Sequence, residues 1–162
     1  MIVENQKKLI KNIKHEKYSY EDTLKSSIEY FNGDELAATT WMNKYAMKDS
    51  GNNFVEKTPD DMHKRMAKEF GRIESDYKLK YNLNGSAKFL SMYGQKRKTL
   101  SENIIYDLFR DFKYIIPQGS VMSSLGNHYK LASLSNCIVV PELHDSYGGV
   151  FYADQQLAQL FK

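Results

Sequence analysis

The sequence has little cysteine, little proline and no long hydrophobic run, and these shortages exclude whole classes of protein. Its single cysteine, Cys137, cannot form a disulfide within the chain, which excludes a secreted domain built on internal disulfides. No stretch approaches the roughly 18 apolar residues that a membrane span requires. The first eight residues also lack the apolar block of a secretory signal. The sequence therefore predicts a cytoplasmic protein with no membrane partner.

The sequence also has little excess charge of either sign. The 23 Lys and Arg residues barely exceed the 20 Asp and Glu residues, and the net charge of +3 does not indicate a polyanionic partner. We therefore expect no nucleic-acid partner. Hydrophobic residues are present at 41%, with twelve tyrosines and eight phenylalanines, which is enough for a globular domain with a largely aromatic core.

The signals at the start of about four helices lie between residues 19 and 113. Ser19, Asp34, Thr58-Pro59 and Ser101 can each begin a helix, with acidic residues in the first turn that suit the helix dipole. Apolar residues recur at helical spacing after each signal and predict four buried stripes: Leu24, Ile28 and Phe31; Ala38, Trp41, Met42 and Tyr45; Met62, Met66, Phe70, Ile73 and Tyr77; Ile105, Leu108 and Phe112. Such methionine and aromatic stripes are typical of a core rather than of a cofactor site.

The pattern changes after residue 113. Residues 114–116 and 134–140 are β-prone runs that end at Pro117 and Pro141, and they predict strands, the second of them buried. A Gly/Ser-rich stretch lies between them, at residues 119–127. A last helical pattern begins at Asp154 and continues through Leu157, Leu160 and Phe161 to the end of the chain. Because no helix-ending signal follows, we expect the chain to be a truncated part of a longer protein.

Few residues indicate chemistry by pattern alone. Cys137 is a lone thiol in an apolar run, which is typical of a buried cysteine that behaves as a small hydrophobic residue. The four histidines are scattered, so no metal site is predicted. Gly148-Gly149 is too short to be a phosphate-binding loop.

Several motifs in order nevertheless resemble those of ribonucleotide reductase large subunits. The barrel side of the resemblance lies in Pro117-Gln118-Gly119-Ser120-Val121-Met122, Leu125-Gly126-Asn127, Ala132-Ser133-Leu134-Ser135-Asn136-Cys137 and Asp145-Ser146-Tyr147-Gly148-Gly149. Residues 30–38, 43–46 and 58–63 resemble the helical domain of the branch that is closest to the adenosylcobalamin-dependent reductases. The resemblance covers about residues 20–162, except for an insertion at residues 82–98.

The resemblance implies a role for five residues. Cys137 matches one of two thiols that reduce the ribose and become a disulfide, so it is the candidate catalytic residue. Ser120, Asn136 and Cys137 match substrate-binding positions, and Asp145 and Ser146 match the start of a region that binds a nucleotide effector. In the family a thiyl radical removes hydrogen from the ribose, water leaves the 2′ position, and the thiol pair supplies two electrons.

The resemblance also implies an architecture and a set of partners. We expect a basic surface segment at residues 1–18, a mainly α N-terminal domain at 19–113, and the first strands of an incomplete ten-stranded α/β barrel at 114–162. The second reducing thiol and the radical cysteine are absent, so the fragment should be inactive alone and should need the remainder of the catalytic subunit. No cofactor should bind to the fragment itself. The whole enzyme should use adenosylcobalamin or a metal radical source on a partner subunit, and a thioredoxin-type reductant.

The further expected partners are a ribonucleotide substrate, a deoxynucleotide or ATP effector, and a second copy in a homodimer of complete subunits. One alternative is a helical nucleic-acid-binding module that uses the lysines of residues 7–17 and 96–98. A helical adapter is another, although it leaves the motifs of residues 117–149 unexplained.

Overall fold

A computed structural model of the chain describes residues 16–83, 91–96 and 100–161. Most of the predicted basic segment, and much of the predicted insertion at residues 82–98, lie outside the described residues. The described elements are helical. They are α1 (Tyr20–Tyr30), α2 (Glu35–Lys44), α3 (Pro59–Leu83), α4 (Met92–Lys96), α5 (Glu102–Phe109), a 3₁₀ turn (Arg110–Phe112), α6 (Gly119–Ser124) and α7 (Tyr147–Phe161).

The four helix starts predicted between residues 19 and 113 are confirmed. A side-chain oxygen accepts the N–H three residues further on in three of them: Ser19 from Asp22 at 3.1 Å, Asp34 from Ala37 at 2.9 Å, and Ser101 from Ile104 at 3.3 Å. At α3 the carboxylate of Asp61 accepts the N–H groups of Lys57 (2.9 Å) and Thr58 (3.1 Å). This is the acidic half of a capping box, in which the residue inside the helix reaches back to its start.

The core lies between these helices. Its buried members are Trp41, Met42, Phe54, Met62, Met66, Ala67, Ile105, Phe109, Met122 and Leu125. Helices α3 and α5 meet at Gly71, where an added Cβ would lie 3.3 Å from the Cβ of Glu102. Because α5 begins there, the last turns of α3 extend beyond it. Tyr77 is accordingly 52% exposed and does not continue the buried stripe as predicted.

The predicted strands are wrong for the described residues, where no strand is formed and only isolated bridges join Phe54 to Tyr18 and Lys48. Residues 114–116 and 134–140 are irregular and mostly exposed, and Val139 is 94% exposed. A strand needs a neighbour to pair its N–H and C=O groups, and no described segment supplies one. The start of a barrel is therefore not seen.

The structure also forms one helix that was not predicted and one that starts earlier than predicted. Residues 119–124, in the Gly/Ser-rich stretch, form α6. Helix α7 begins at Tyr147, well before Asp154, because Ser146 Oγ accepts the N–H of Gly149 (3.0 Å) and so caps the helix. A Cβ at Gly149 would lie 2.2 Å from the carbonyl oxygen of His144, so this turn requires glycine there.

Candidate functional site

Three hydrogen bonds join the start of α6 to the segment that precedes Cys137. The N–H of Ser120 donates to Asn136 Oδ1 at 2.8 Å, and the Ser120 hydroxyl donates to the carbonyl oxygen of Leu134 at 2.6 Å. Asn136 Nδ2 donates to Gln118 Oε1 at 2.7 Å. Ser120 and Asn136, which the resemblance assigns to one substrate site, are therefore in direct contact although they lie sixteen residues apart.

Cys137 follows Asn136 directly and is exposed. The pattern-based prediction of a buried small hydrophobic residue is therefore wrong, and so is the prediction that a rigid strand carries this thiol. Cys137 is the chain neighbour of Asn136, which contacts both Gln118 and Ser120. We call these three residues together with Cys137 the Ser120 cluster.

The Ser120 cluster keeps unused hydrogen-bonding capacity. The hydroxyl of Ser120 donates its proton to Leu134 but retains lone pairs that can accept. The amide of Asn136 has a second N–H beside the one that Gln118 accepts. Both residues are at least partly exposed. The cluster can thus offer a donor and an acceptor to a ligand next to an accessible thiol.

Helix α6 is held in place from its far end by Arg65 of α3. The Nη2 of Arg65 donates to the carbonyl oxygen of Met122 at 2.7 Å, and its Nη1 donates to the carbonyl oxygen of Leu125. The side chains of Met122 and Leu125 are part of the core. Gly126 follows with φ +72°, and a Cβ there would lie 3.1 Å from Arg65 Cγ, so the chain turns closely around this side chain.

Arg65 is paired with Glu56, and both side chains are buried. Arg65 Nε lies 2.6 Å from Glu56 Oε1, with 8% and 3% of the two side chains exposed. Glu56 Oε2 also accepts the N–H of Met47 at 2.7 Å. Each charge is therefore paired and hydrogen-bonded further, as buried charges require.

Sequence reasoning missed Arg65, Glu56 and Gln118 as parts of this region. Gln118 stands beside Ser120 in the motif that carries the resemblance, and this was an available signal. Arg65 directly precedes Met66 of the buried stripe, but many helical arginines do so with an exposed guanidinium. Its partners lie nine and about sixty residues away, and helical periodicity does not report such distant contacts.

The predicted effector residues occupy a different place, the turn that starts α7. Ser146 donates its N–H to the carbonyl oxygen of His144 at 2.7 Å and caps α7 with its side chain. Asp145 is exposed in the same turn. The contacts of Ser146 are local to this turn and account for its presence as a helix cap.

A second polar group lies between α3 and α5 and is occupied by internal contacts. The Tyr106 hydroxyl donates to Asp60 at 2.5 Å, and this bond raises the pKa of Tyr106 to about 12. Lys64 pairs with the same carboxylate at 2.6 Å. Burial lowers the pKa of His63, whose ring meets that of Phe112 edge-on at 4.6 Å. These contacts make the group a part of the fold.

An open groove of about 350 Å³ lies between α2 and the end of the α5 region, which is within the usual size range for small-molecule sites. Its walls are mostly apolar and include Phe31, Trp41 and Phe112. The carboxylate of Asp34 is its only charged lining group, and that carboxylate already caps α2. The groove thus lacks the reactive groups that the Ser120 cluster has.

Among residues 16–83, 91–96 and 100–161, no three His, Cys, Asp or Glu residues are grouped so as to hold a metal ion. No helix in that part of the chain is both long and apolar enough to cross a membrane.

Comparison with protein families identifies the domain. The family model described as "Ribonucleotide reductase, all-alpha domain" matches residues 31–128, more than half of the chain. Comparison with curated proteins and with solved structures gave no match. The match spans α2 to α6, the helices that form the core and carry Ser120. The chain therefore belongs to the ribonucleotide reductase family, and its residues 31–128 match the all-α domain of the N-terminal region of the large subunit.

Proposed function

We propose that this chain is the N-terminal part of a ribonucleoside-diphosphate reductase catalytic subunit and supplies Ser120, Asn136 and Cys137 to its substrate site. The observation that carries this proposal is the hydrogen bond between Ser120 and Asn136, which joins the all-α domain to the residue before the exposed thiol. The family match includes Ser120 but ends before Asn136 and Cys137, which are assigned by the resemblance. The hydrogen bond connects a residue inside the family match with a residue outside it.

In the proposed reaction the Ser120 cluster binds the ribonucleotide, and Cys137 is one of two reducing thiols. The C2′–O bond breaks and the oxygen leaves as water, while a C2′–H bond replaces it. The two thiols lose two hydrogen atoms and form a disulfide, which balances the two-electron reduction of the ribose. Because Cys137 is the only cysteine of this chain, the second thiol must come from the remainder of the subunit.

The remaining partners are proposed on the resemblance. The radical source is proposed to be adenosylcobalamin, by the branch that the helical motifs resemble, or a metal centre on a partner subunit, and to act on the remainder of the catalytic subunit. A thioredoxin-type reductant would reopen the disulfide. The turn of Asp145 and Ser146 is proposed to contact a deoxynucleotide or ATP effector in a homodimer of complete subunits. The nucleic-acid-binding and adapter alternatives are not favoured, because neither explains the family match.

Reconstitution tests this function. The chain is combined with a chain that carries the missing reductase residues, and deoxyribonucleotide formation is measured with a reductant and a radical source. We expect multiple turnover by the wild-type pair and none by Cys137→Ser, because serine is close in size to cysteine but cannot form the disulfide. Leu131→Ala, which changes a fully exposed side chain six residues before Cys137 in the chain, is the matched control and should remain active.

Unchanged steady-state turnover in Cys137→Ser would contradict a redox role for this thiol. The chain alone should form no deoxyribonucleotide even with reductant and radical source present, because one thiol cannot complete the reaction. Turnover above background by the purified chain would contradict the proposed division of the site.

A further inference from the structure

We infer that Arg65 is a positioning residue for the Ser120 cluster, acting from α3 through helix α6 on the contact between Ser120 and Asn136. The inference concerns the residues that the proposed function assigns to substrate binding. Its relevance to the substrate rests on that proposed function. The contact itself is a property of the fold and can be measured without any substrate.

The first step is that the carbonyl groups at the C-terminal end of α6 need hydrogen-bond donors from outside the helix. The last carbonyl groups of a helix have no partner inside it, and α6 has only six residues. The carbonyl oxygens of Val121 and Ser124 accept the N–H groups of Leu125 and Asn127, both at 3.0 Å. The carbonyl oxygens of Met122 and Leu125 accept no hydrogen bond from a residue of α6, and the guanidinium of Arg65 donates to both.

The second step is the chemistry of the guanidinium. One planar group donates to two carbonyl oxygens and to Glu56 at once, a fork that the ammonium of a lysine cannot reproduce. A cation is also favoured at the negative end of a helix. Glu56 accepts the Met47 N–H with its other oxygen. This second contact fixes the carboxylate, and the carboxylate in turn fixes the position of the guanidinium.

The third step connects this clamp to Ser120. The side chains of Met122 and Leu125 bury α6 against the core, but apolar burial is non-directional and leaves rotation of a short helix weakly specified. The hydrogen bonds from Arg65 depend on angle and so fix that rotation. Ser120 lies in the first turn of the same short helix. The orientation of its N–H toward Asn136 Oδ1 therefore follows from the clamp at the other end.

The experiment separates positioning from stability with three variants of the full chain. Arg65→Met removes the clamp and leaves Glu56 buried without its partner charge. Glu56→Gln keeps the clamp and an oxygen for the Met47 N–H. The double variant has neither charge, so it should recover part of the stability that Arg65→Met loses, but it still has no clamp. Arg72→Met is the control, because Arg72 is an exposed arginine of the same helix with ion pairs to Glu69 and Asp76.

The readout is amide hydrogen exchange at Ser120, followed by NMR, with the midpoint of denaturation measured in parallel. The Ser120 amide lies in the first turn, where helices have no internal acceptor, so its protection reports the bond to Asn136. We expect Arg65→Met and the double variant to exchange at least about tenfold faster there, from the usual strength of a hydrogen bond to a charged group. Arg72→Met should exchange within about threefold of wild type. Glu56→Gln keeps the donors to Met122 and Leu125 but leaves Arg65 without its partner charge, so its Ser120 amide should lose no more protection than its loss of global stability accounts for.

Two results would overturn the inference. One is a Ser120 amide that is unprotected in the wild-type chain. The other is protection that returns with stability in the double variant, since the arginine would then act on overall stability alone. In the reconstituted reductase we expect the double variant to raise KM for a ribonucleoside diphosphate more than it lowers kcat. If the wild-type pair shows no reductase activity, the proposed function fails, and the exchange result still decides the role of Arg65.

Discussion

The described residues between 16 and 127 contain a core of buried apolar side chains, whereas most of the large apolar side chains of residues 128–161 are exposed. Met42, Met62 and Met66 are fully buried in the first region, whereas Leu131 and Phe161 in the second are among the most exposed side chains of the chain. The apolar residues of the second region thus lack a surface to pack on. The comparison shows that burial is decided by the presence of a complementary face and not by hydrophobicity alone.

Local geometry explains why the two regions differ. A helix satisfies its own backbone groups, so α1 to α3 and α5 need only apolar stripes that face one another. A β-prone run such as residues 134–140 satisfies its backbone groups only beside another strand. The hydrogen bond between Ser120 and Asn136 connects the second region to the first. This bond requires neither a strand nor a buried apolar stripe.

The largest difference between the regions should be the loss of stability when one large apolar side chain in each is truncated to alanine. Met66→Ala should lower the free energy of unfolding by about 2–5 kcal/mol, because it leaves a cavity in the core. Leu131→Ala should change it by no more than about 0.5 kcal/mol, because its side chain is fully exposed. Urea denaturation of both variants measures this. Equal losses would show that Leu131 is covered in solution and that the two regions form one core.

A smaller difference should appear between the two serine caps. Ser19 and Ser146 each accept the N–H three residues ahead. Ser19→Ala should cost about 0.5–2 kcal/mol of global stability, because α1 packs on α2 and unfolds with the core. Ser146→Ala should leave the global midpoint unchanged and speed amide exchange only in α7. A shift of the global midpoint by Ser146→Ala would mean that α7 is part of the same cooperative unit.

The smallest effect should be a pH dependence confined to the first region. Burial lowers the pKa of His63 below its ordinary value of 6.5, against the opposing effect of Asp60 and Asp111. The unfolded chain therefore binds a proton more readily than the folded one, so stability is full above pH 6.5 and is lost as pH falls through the folded pKa. The fluorescence of Trp41, the single tryptophan and a core residue, follows this unfolding.

His63→Gln should remove that part of the pH dependence, and His144→Gln, at an exposed position of the second region, is its control. If the stability of the wild-type chain does not change between pH 7 and 5, the buried imidazole is not the group that titrates on unfolding.

The sequence predicted the first region well and the second poorly, for a physical reason. Ser19, Asp34 and Ser101 act on residues three positions away, and the stripe through Met62 and Met66 follows from helical period, so short-range rules suffice. Residues 134–140 depend on a strand that no described segment provides. The resemblance assigned Ser120 and Asn136 to one substrate site, but neither the resemblance nor any spacing rule predicted the hydrogen bond between them. The clamp by Arg65 joins residues about sixty positions apart and was predicted by neither.

The exposed Cys137 has a consequence for experiment as well as for chemistry. Because it is the only cysteine and its side chain faces water, a maleimide fluorophore or a nitroxide will attach at one known position with no engineering of the chain. Such a label would be attached to a member of the Ser120 cluster, among the exposed residues of the second region. Its mobility and its reach to a quencher would report, in real time, whether another chain arrives to cover that surface. The same thiol can join two copies through air oxidation, so preparations of this protein require a reductant before any assembly is measured.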